Sequence, residues 1–159
     1  KILAQETIEE EASLKEVMPL AINFEPIKSG REIIYYKAYD KEAKFIGIAF
    51  KAQAKGYSSD IQTMVGMTGA GTITAIKVLA QNETPGLGAG VAEPNFAQRF
   101  SNKNIQGLNE LQAITGATIS SKAVIDSVAK KAQELRELIP RPSYEGSGDN
   151  IKKEGRGEK

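Results

Sequence analysis

The stretch from Ile61 to Ala80 constrains this chain most. Ile61, Thr63, Val65 and Met67 alternate along one side, Thr68-Gly69-Ala70-Gly71 turns the chain, and Ile73 to Ala80 returns. Alternation of period two marks a strand, because successive side chains leave it on opposite faces. Two such runs joined by a short glycine-containing turn form an antiparallel hairpin. A first hairpin lies just upstream. Glu32 to Tyr39 is β-branched and aromatic, Asp40 to Lys44 is a polar turn, and Phe45 to Ala54 sets Ile46, Ile48, Phe50 and Ala52 on one side. The four strands are expected to make one mainly antiparallel sheet.

Helical signals flank this sheet. Residues 1–18 read as an acidic amphipathic helix, with Thr7 and Glu10 at capping-box spacing and Ile8, Ala12, Leu14, Val17 and Met18 as a ragged apolar face. Pro19 ends or kinks it. It is either a packing helix or a connection to an upstream anchor. Pro94 to Phe100 suits a short helix, with Pro94 in its first turn. Ile105 to Ile114 is mixed and partly extended. Val124, Val128, Ala132, Leu135 and Leu138 recur every three or four residues, the stripe of a long helix that Ile139-Pro140 stops. The expectation is an α+β fold: two hairpins in one sheet, an N-terminal helix and a long C-terminal helix. Its divisions are the helix at 1–19, a domain at 20–139 and a flexible tail at 140–159, rich in Pro, Gly, Ser and charge.

Composition removes whole classes of chemistry. The 159 residues hold one domain and a tail, and they include no His, Cys or Trp. Imidazole and thiolate metal sites, Cys nucleophiles, disulfides and Ser-His-Asp triads are therefore excluded. No Asp-rich loop of calcium-binding spacing stands in the sequence, so no metal is expected. Redox chemistry would need a borrowed cofactor. With 21 Lys+Arg against 20 Asp+Glu the net charge is +1, which argues against a nucleic-acid partner. No uncharged run approaches the ~20 residues of a spanning helix. Since the chain starts at Lys1, removal of a preceding signal or anchor segment is expected.

Two segments could carry chemistry. Glu83-Thr84-Pro85-Gly86-Leu87-Gly88 is a stiff loop in which Gly86 and Gly88 allow close approach of a flat ligand, or it is a plain connection. Thr115-Gly116-Ala117-Thr118-Ile119-Ser120-Ser121 opens the long helix. A helix N-terminus presents unpaired N–H groups and partial positive charge, which suits phosphate. The same hydroxyls are also what a simple capping cluster would show. The segment lacks the Gly-Lys-Ser/Thr ending of a P-loop.

Thr-Gly-Ala-Thr before a C-terminal helix, about thirty residues after Glu-Thr-Pro-Gly-Leu-Gly, resembles the FMN-binding domain family. Its members include the G subunit of the Rnf electron-transport complex and the C subunit of sodium-pumping NADH:quinone oxidoreductase. Gly56-Tyr57-Ser58-Ser59-Asp60-Ile61 and the order of elements resemble it too, over roughly residues 1–139. The resemblance implies FMN joined through its phosphate to the second Thr of the motif, Thr118, by a flavin transferase using FAD. Thr115, Gly116, Ala117 and Ile119 would surround the attachment. Glu83, Thr84, Leu87 and Gly88 would lie along the isoalloxazine ring. Tyr57 is either close to the ring or packed in its turn. Lys103 is either a cation that tunes the flavin or a solvated surface charge. Gln112 stands where the family usually has Asp, which implies slower flavinylation or a tolerant transferase. Phe96 stands nearest a common Trp.

The resemblance further implies an electron-transfer protein, most like the G subunit of Rnf in ferredoxin/NAD electron transport. Its partners would be the other members of a membrane complex. It would sit on the extracytoplasmic side of the cytoplasmic membrane, anchored by an N-terminal helix absent from this chain. It would not be a stand-alone enzyme. Three alternatives stay open: a noncovalent FMN or phosphate-ligand module, the homologous protein of the sodium-pumping reductase, and a structural domain with a well-capped helix.

Overall fold

The computed structural model describes residues 4–56, 59–80 and 88–139. Tyr57, Glu83, Thr84, Leu87 and the expected tail lie outside these residues. Six strands follow one another in sequence order across a single antiparallel sheet. They are β1 (Asn23–Ser29), β2 (Glu32–Tyr39), β3 (Phe45–Lys55), β4 (Asp60–Thr68), β5 (Thr72–Ala80) and the short β6 (Lys103–Asn104). The helices are α1 (Ala4–Val17), α2 (Pro94–Gln98) and α3 (Thr118–Arg136), with 3-10 turns at Gly88–Ala92 and Gln106–Glu110.

The α+β expectation holds, and both hairpins turn where the sequence puts them. The β4–β5 turn closes with the Gly71 N–H on the Thr68 carbonyl at 3.0 Å and the Thr72 N–H on Thr68 Oγ1 at 3.1 Å. Two strands are additions. β1 carries Pro26, which offers no N–H, yet it is an edge strand, where a proline is tolerated. β6 is set only by the pairing of Lys103 with Ile73 and Asn104 with Thr72. One detail is corrected. The α1 helix is already formed at Ala4, so Thr7 stands inside it, and the Thr7–Glu10 spacing does not mark its start.

Helices cover both faces of the sheet, which is why Phe45 to Phe50 reads as an unbroken apolar run. On one face Ile48, Phe50, Ile61, Val65, Met67 and Ile73 bury the α3 stripe of Val124, Val128, Ala132 and Leu135. On the other, Leu14, Val17 and Met18 of α1 and its end pack on Ala38, Ala49 and Met64. Alternation within β3 and β4 deals side chains to each face in turn.

The end of α1 lies directly on the sheet at Gly66. A Cβ there would collide with the Val17 carbonyl oxygen and with Thr74 Oγ1. The last carbonyls of a helix have no partner within it. Thr74 Oγ1 donates to Val17 O at 2.5 Å, and Lys15 Nζ donates to Ala21 O at 3.1 Å. Farther along α1, Glu10 accepts from the Tyr36 hydroxyl at 2.8 Å and pairs with Lys51 at 3.2 Å. Burial, then the bond to Glu10, pushes the Tyr36 hydroxyl well above the ordinary tyrosine range.

One polar atom in the α3-side core is unmatched. Thr63, opposite Ala52, is fully buried, and its Oγ1 has no partner among the described residues. Urea unfolding should therefore separate two substitutions. Gly66→Ala should lower stability by about 1–3 kcal/mol through overpacking against backbone. Thr63→Val should raise it by about 1 kcal/mol, because a methyl replaces an unpartnered hydroxyl.

Candidate functional site

The first turn of α3 is built on a glycine. The Ala117 N–H bonds the Ile114 carbonyl at 2.9 Å and closes a turn over Thr115 and Gly116. Gly116 has φ +85, a left-handed conformation that L side chains adopt only with strain, and among the described residues, chain neighbours aside, nothing lies within 4 Å of where its Cβ would be. Ala117, at the N-cap, is buried, and its carbonyl accepts the Ser121 N–H at 2.9 Å. Thr118 is the first residue of the 19-residue helix.

Burial divides the motif. Thr115, Gly116, Thr118 and Ile119 face solvent, and Ile119 is 57% exposed. Ala117, Ser120 and Ser121 face the core. At the N-cap position itself Ala117 makes no side-chain cap bond. The Ser121 hydroxyl instead accepts from the Ile114 N–H at 3.1 Å. The earliest N–H groups of a helix, here those of Thr118 and Ile119, have no acceptor within it. Together with the helix dipole they favour an anion by about 0.3–1 kcal/mol at an exposed end.

The second motif reaches the same place. Residues 81–87 of the glycine-rich loop lie outside the described residues, but its continuation, the Gly88–Ala92 turn, packs on α3. A Cβ on Gly90 would stand 3.5 Å from Ile114 Cδ1, so this turn touches the residue just before Thr115. Val91 and Ala92 also wall a cleft of about 290 Å³ between β5 and α2, with Ile76, Val78, Pro94 and Ala97.

The remaining expected residues are placed as follows. Lys103 is exposed on β6, opposite Ile73. The adjacent Gly71 turn meets the side chain of Arg136, in the last turn of α3. These contacts place Lys103 on β6, beside the Gly71 turn. Phe96 is buried and meets Phe100 edge to face at 5.3 Å, acting as an apolar filler. Gln112 is exposed, and its carbonyl accepts from Arg99 Nη1 at 2.6 Å. Sequence reasoning does not find Arg99 or the contact made by Ser121. Both act on backbone atoms, for which residue pattern carries no signal.

Comparison with known proteins decides the family. The model of the FMN-binding domain matches residues 56–133, a span that contains both motifs. The G subunit of the ion-translocating oxidoreductase complex of Methanosarcina acetivorans is 32% identical over 135 residues, covering 76% of this chain and 71% of that protein. The chain belongs to the FMN-binding domain family. The G subunit of the Na(+)-translocating ferredoxin:NAD(+) oxidoreductase complex of Acetobacterium woodii is also 32% identical, covering 78% of this chain and 72% of that protein. Solved structures share the fold. NqrC of Shewanella oneidensis superposes with a TM-score of 0.56 at 19% identity, covering 77% of this chain and 74% of that one. The C subunit of the Na(+)-translocating NADH-quinone reductase of Parabacteroides distasonis gives 0.56 at 17% identity, covering 84% and 85%.

The cofactor of this FMN-binding domain is FMN, and the first turn of α3 fits it. Among the described residues none fills the space at Gly116, a hydroxyl is exposed at Thr118, and helix N–H groups stand beside it. Among the described residues no helix is long and apolar enough to cross a membrane. The left-handed glycine gives a direct check on this geometry. Gly116→Ala should cost about 1–2 kcal/mol in urea unfolding despite the open space around it, since the penalty is in the backbone.

Proposed function

We propose that this chain is an electron-transfer component of a membrane-bound, ion-translocating oxidoreductase complex of the Rnf type, with FMN held as a phosphoester on Thr118. One observation carries this reading. Thr118 is exposed as the first residue of α3, beside open space at Gly116, and the described end of the glycine-rich loop abuts Ile114. The two G subunits, at 32% identity over most of both chains, support the same reading. The NADH-quinone reductase proteins share the fold at 17–19% identity, which favours the Rnf type over that alternative.

Attachment requires a flavin transferase and FAD. Thr118 Oγ bonds to the FMN-side phosphorus of FAD, the phosphoanhydride bond breaks, and AMP leaves. The hydroxyl proton goes to a base, for which this chain itself offers carboxylates but no imidazole or thiol. The phosphodiester keeps one negative charge at the N-terminus of α3, where the N–H groups of Thr118 and Ile119 and the helix dipole favour it. Thr115 and Gly116 leave the approach open, and Ala117, turned inward, adds no bulk. Bound FMN would supply the redox chemistry of electron transfer, with this chain's residues holding it in place.

In this reading Glu83, Thr84, Leu87 and Gly88 line the ring, with Ile119 as an apolar neighbour and Tyr57 close by. Lys103, exposed on β6, is the candidate cation that would tune the flavin. Gln112 offers no carboxylate, so the transferase must recognise the turn without one. Retention through a covalent bond does not depend on a deep pocket, which suits an exposed site. The partners are the other members of the complex, and the domain stands on the extracytoplasmic side of the membrane.

Co-expression with a flavin transferase tests the assignment. Acid-precipitated wild-type protein should be yellow and heavier than the bare chain by one FMN less one water. Thr118→Ala should give a colourless pellet and the mass of its bare chain. Covalent flavin persisting in Thr118→Ala, or a bare wild-type chain from the transferase-containing host, would overturn the reading.

A further inference from the structure

We infer that Ser121 and Arg99 are positioning residues that hold the Thr115–Ala117 turn in the shape that presents the Thr118 hydroxyl. The inference rests on Thr118 as the attachment point. Among the described residues, chain neighbours aside, nothing lies within 4 Å of the Cβ position of Gly116, so none of them packs on the apex of the turn. The described contacts that shape the turn are at its ends. Three hydrogen bonds fix them. Arg99 Nη1, from the end of α2, donates to the Gln112 carbonyl at 2.6 Å. The Ile114 N–H donates to Ser121 Oγ at 3.1 Å, and the Ala117 N–H donates to the Ile114 carbonyl at 2.9 Å.

Ser121 is well placed for this role. It is fully buried, three residues beyond Thr118 on the same helix, so its hydroxyl is fixed relative to the Thr118 backbone. A hydroxyl early in a helix commonly bonds within that helix. This one reaches back across the turn to a residue seven positions earlier. The bond ties the segment entering the turn to the helix leaving it. Arg99 adds a second tether two residues upstream, from an element outside the motif. A side chain that must meet a phosphorus atom in line gains rate from being held in place, and misplacement by about 1 Å can cost on the order of a hundredfold.

The experiment uses the purified apo chain, a flavin transferase and FAD, with attachment followed by intact mass over time. Ser121→Ala should lower the rate at saturating apo chain by about tenfold or more, with KM for the chain little changed. Ser121→Thr, which keeps the acceptor oxygen, should restore most of the rate. Arg99→Ala should slow attachment in the same direction. Amide hydrogen exchange on the apo chain gives a readout independent of flavin. Ser121→Ala should expose the Ile114 amide to faster exchange while the β3–β4 amides keep their protection.

Wild-type attachment rates in both Ser121→Ala and Arg99→Ala would overturn the inference, as would unchanged Ile114 protection in Ser121→Ala. If Ser121→Ala loses β3–β4 protection and fails to fold, Arg99→Ala decides, because its side chain is only partly buried. A wild-type chain that accepts no flavin, or Thr118→Ala that does, marks failure of the attachment assignment instead. The Ile114 exchange still reports whether Ser121 holds the turn.

Discussion

The structure depends on the contact between the apolar stripe of α3 and the inner face of β3 and β4. Val124, Val128, Ala132 and Leu135 are almost completely buried against Phe50, Val65 and their neighbours. Each large aliphatic side chain among them contributes roughly 1.5–3 kcal/mol of burial. The contact fixes the helix along its length, and so it fixes where the helix begins. The site is that beginning. Thr118 needs no pocket of its own because the core places the helix end that carries it. On the opposite face, α1 is fastened at Gly66 by the Thr74 bond to Val17 O. The sheet is thus clamped between two helices.

At that end the chain gives up packing for access. Gly116 is left-handed and stands in open space, Thr115 and Thr118 are exposed, and Ile119 is mostly exposed beside them. An apolar residue so exposed at the helix start gains nothing for the fold, yet it offers a surface to a flat ring. The buried half of the motif, Ala117, Ser120 and Ser121, keeps the turn attached to the core. This division explains why the segment mixes small residues with hydroxyls. In the proposed function the outward positions serve the cofactor and the inward positions serve the turn.

The two hairpins are legible in the sequence because period-two alternation survives in β4, and because Asp40 to Lys44 and Thr68 to Gly71 are strong turn signals. The α3 stripe is legible by its helical spacing, and Pro94 correctly opens a short helix. β1 is hidden by Pro26, which argues against a strand unless the strand is an edge. β6 is hidden because two residues show no period, and its pairing is imposed by the fold. The start of α1 misleads because Thr7 has the chemistry of a cap while lying within an established helix. In the site, Thr115 to Thr118 stand out by composition and by resemblance. Arg99 and the bond to Ser121 do not, because a side chain acting on a distant carbonyl or N–H leaves no pattern in its neighbours. The pairing of Lys103 with Ile73 likewise follows from the β5–β6 register, which local sequence does not encode.

The proposed function comes down to one bond at one oxygen. Trypsin should release residues 104–122 as a single peptide, since Lys103 and Lys122 bound a stretch with no other Lys or Arg. Tandem mass spectrometry of that peptide, from chain matured by a flavin transferase, tests the claim most directly. The expected result is one FMN phosphate on the peptide, with fragment ions placing it on Thr118. A bare peptide, or flavin on Thr115, Ser120 or Ser121, would contradict it.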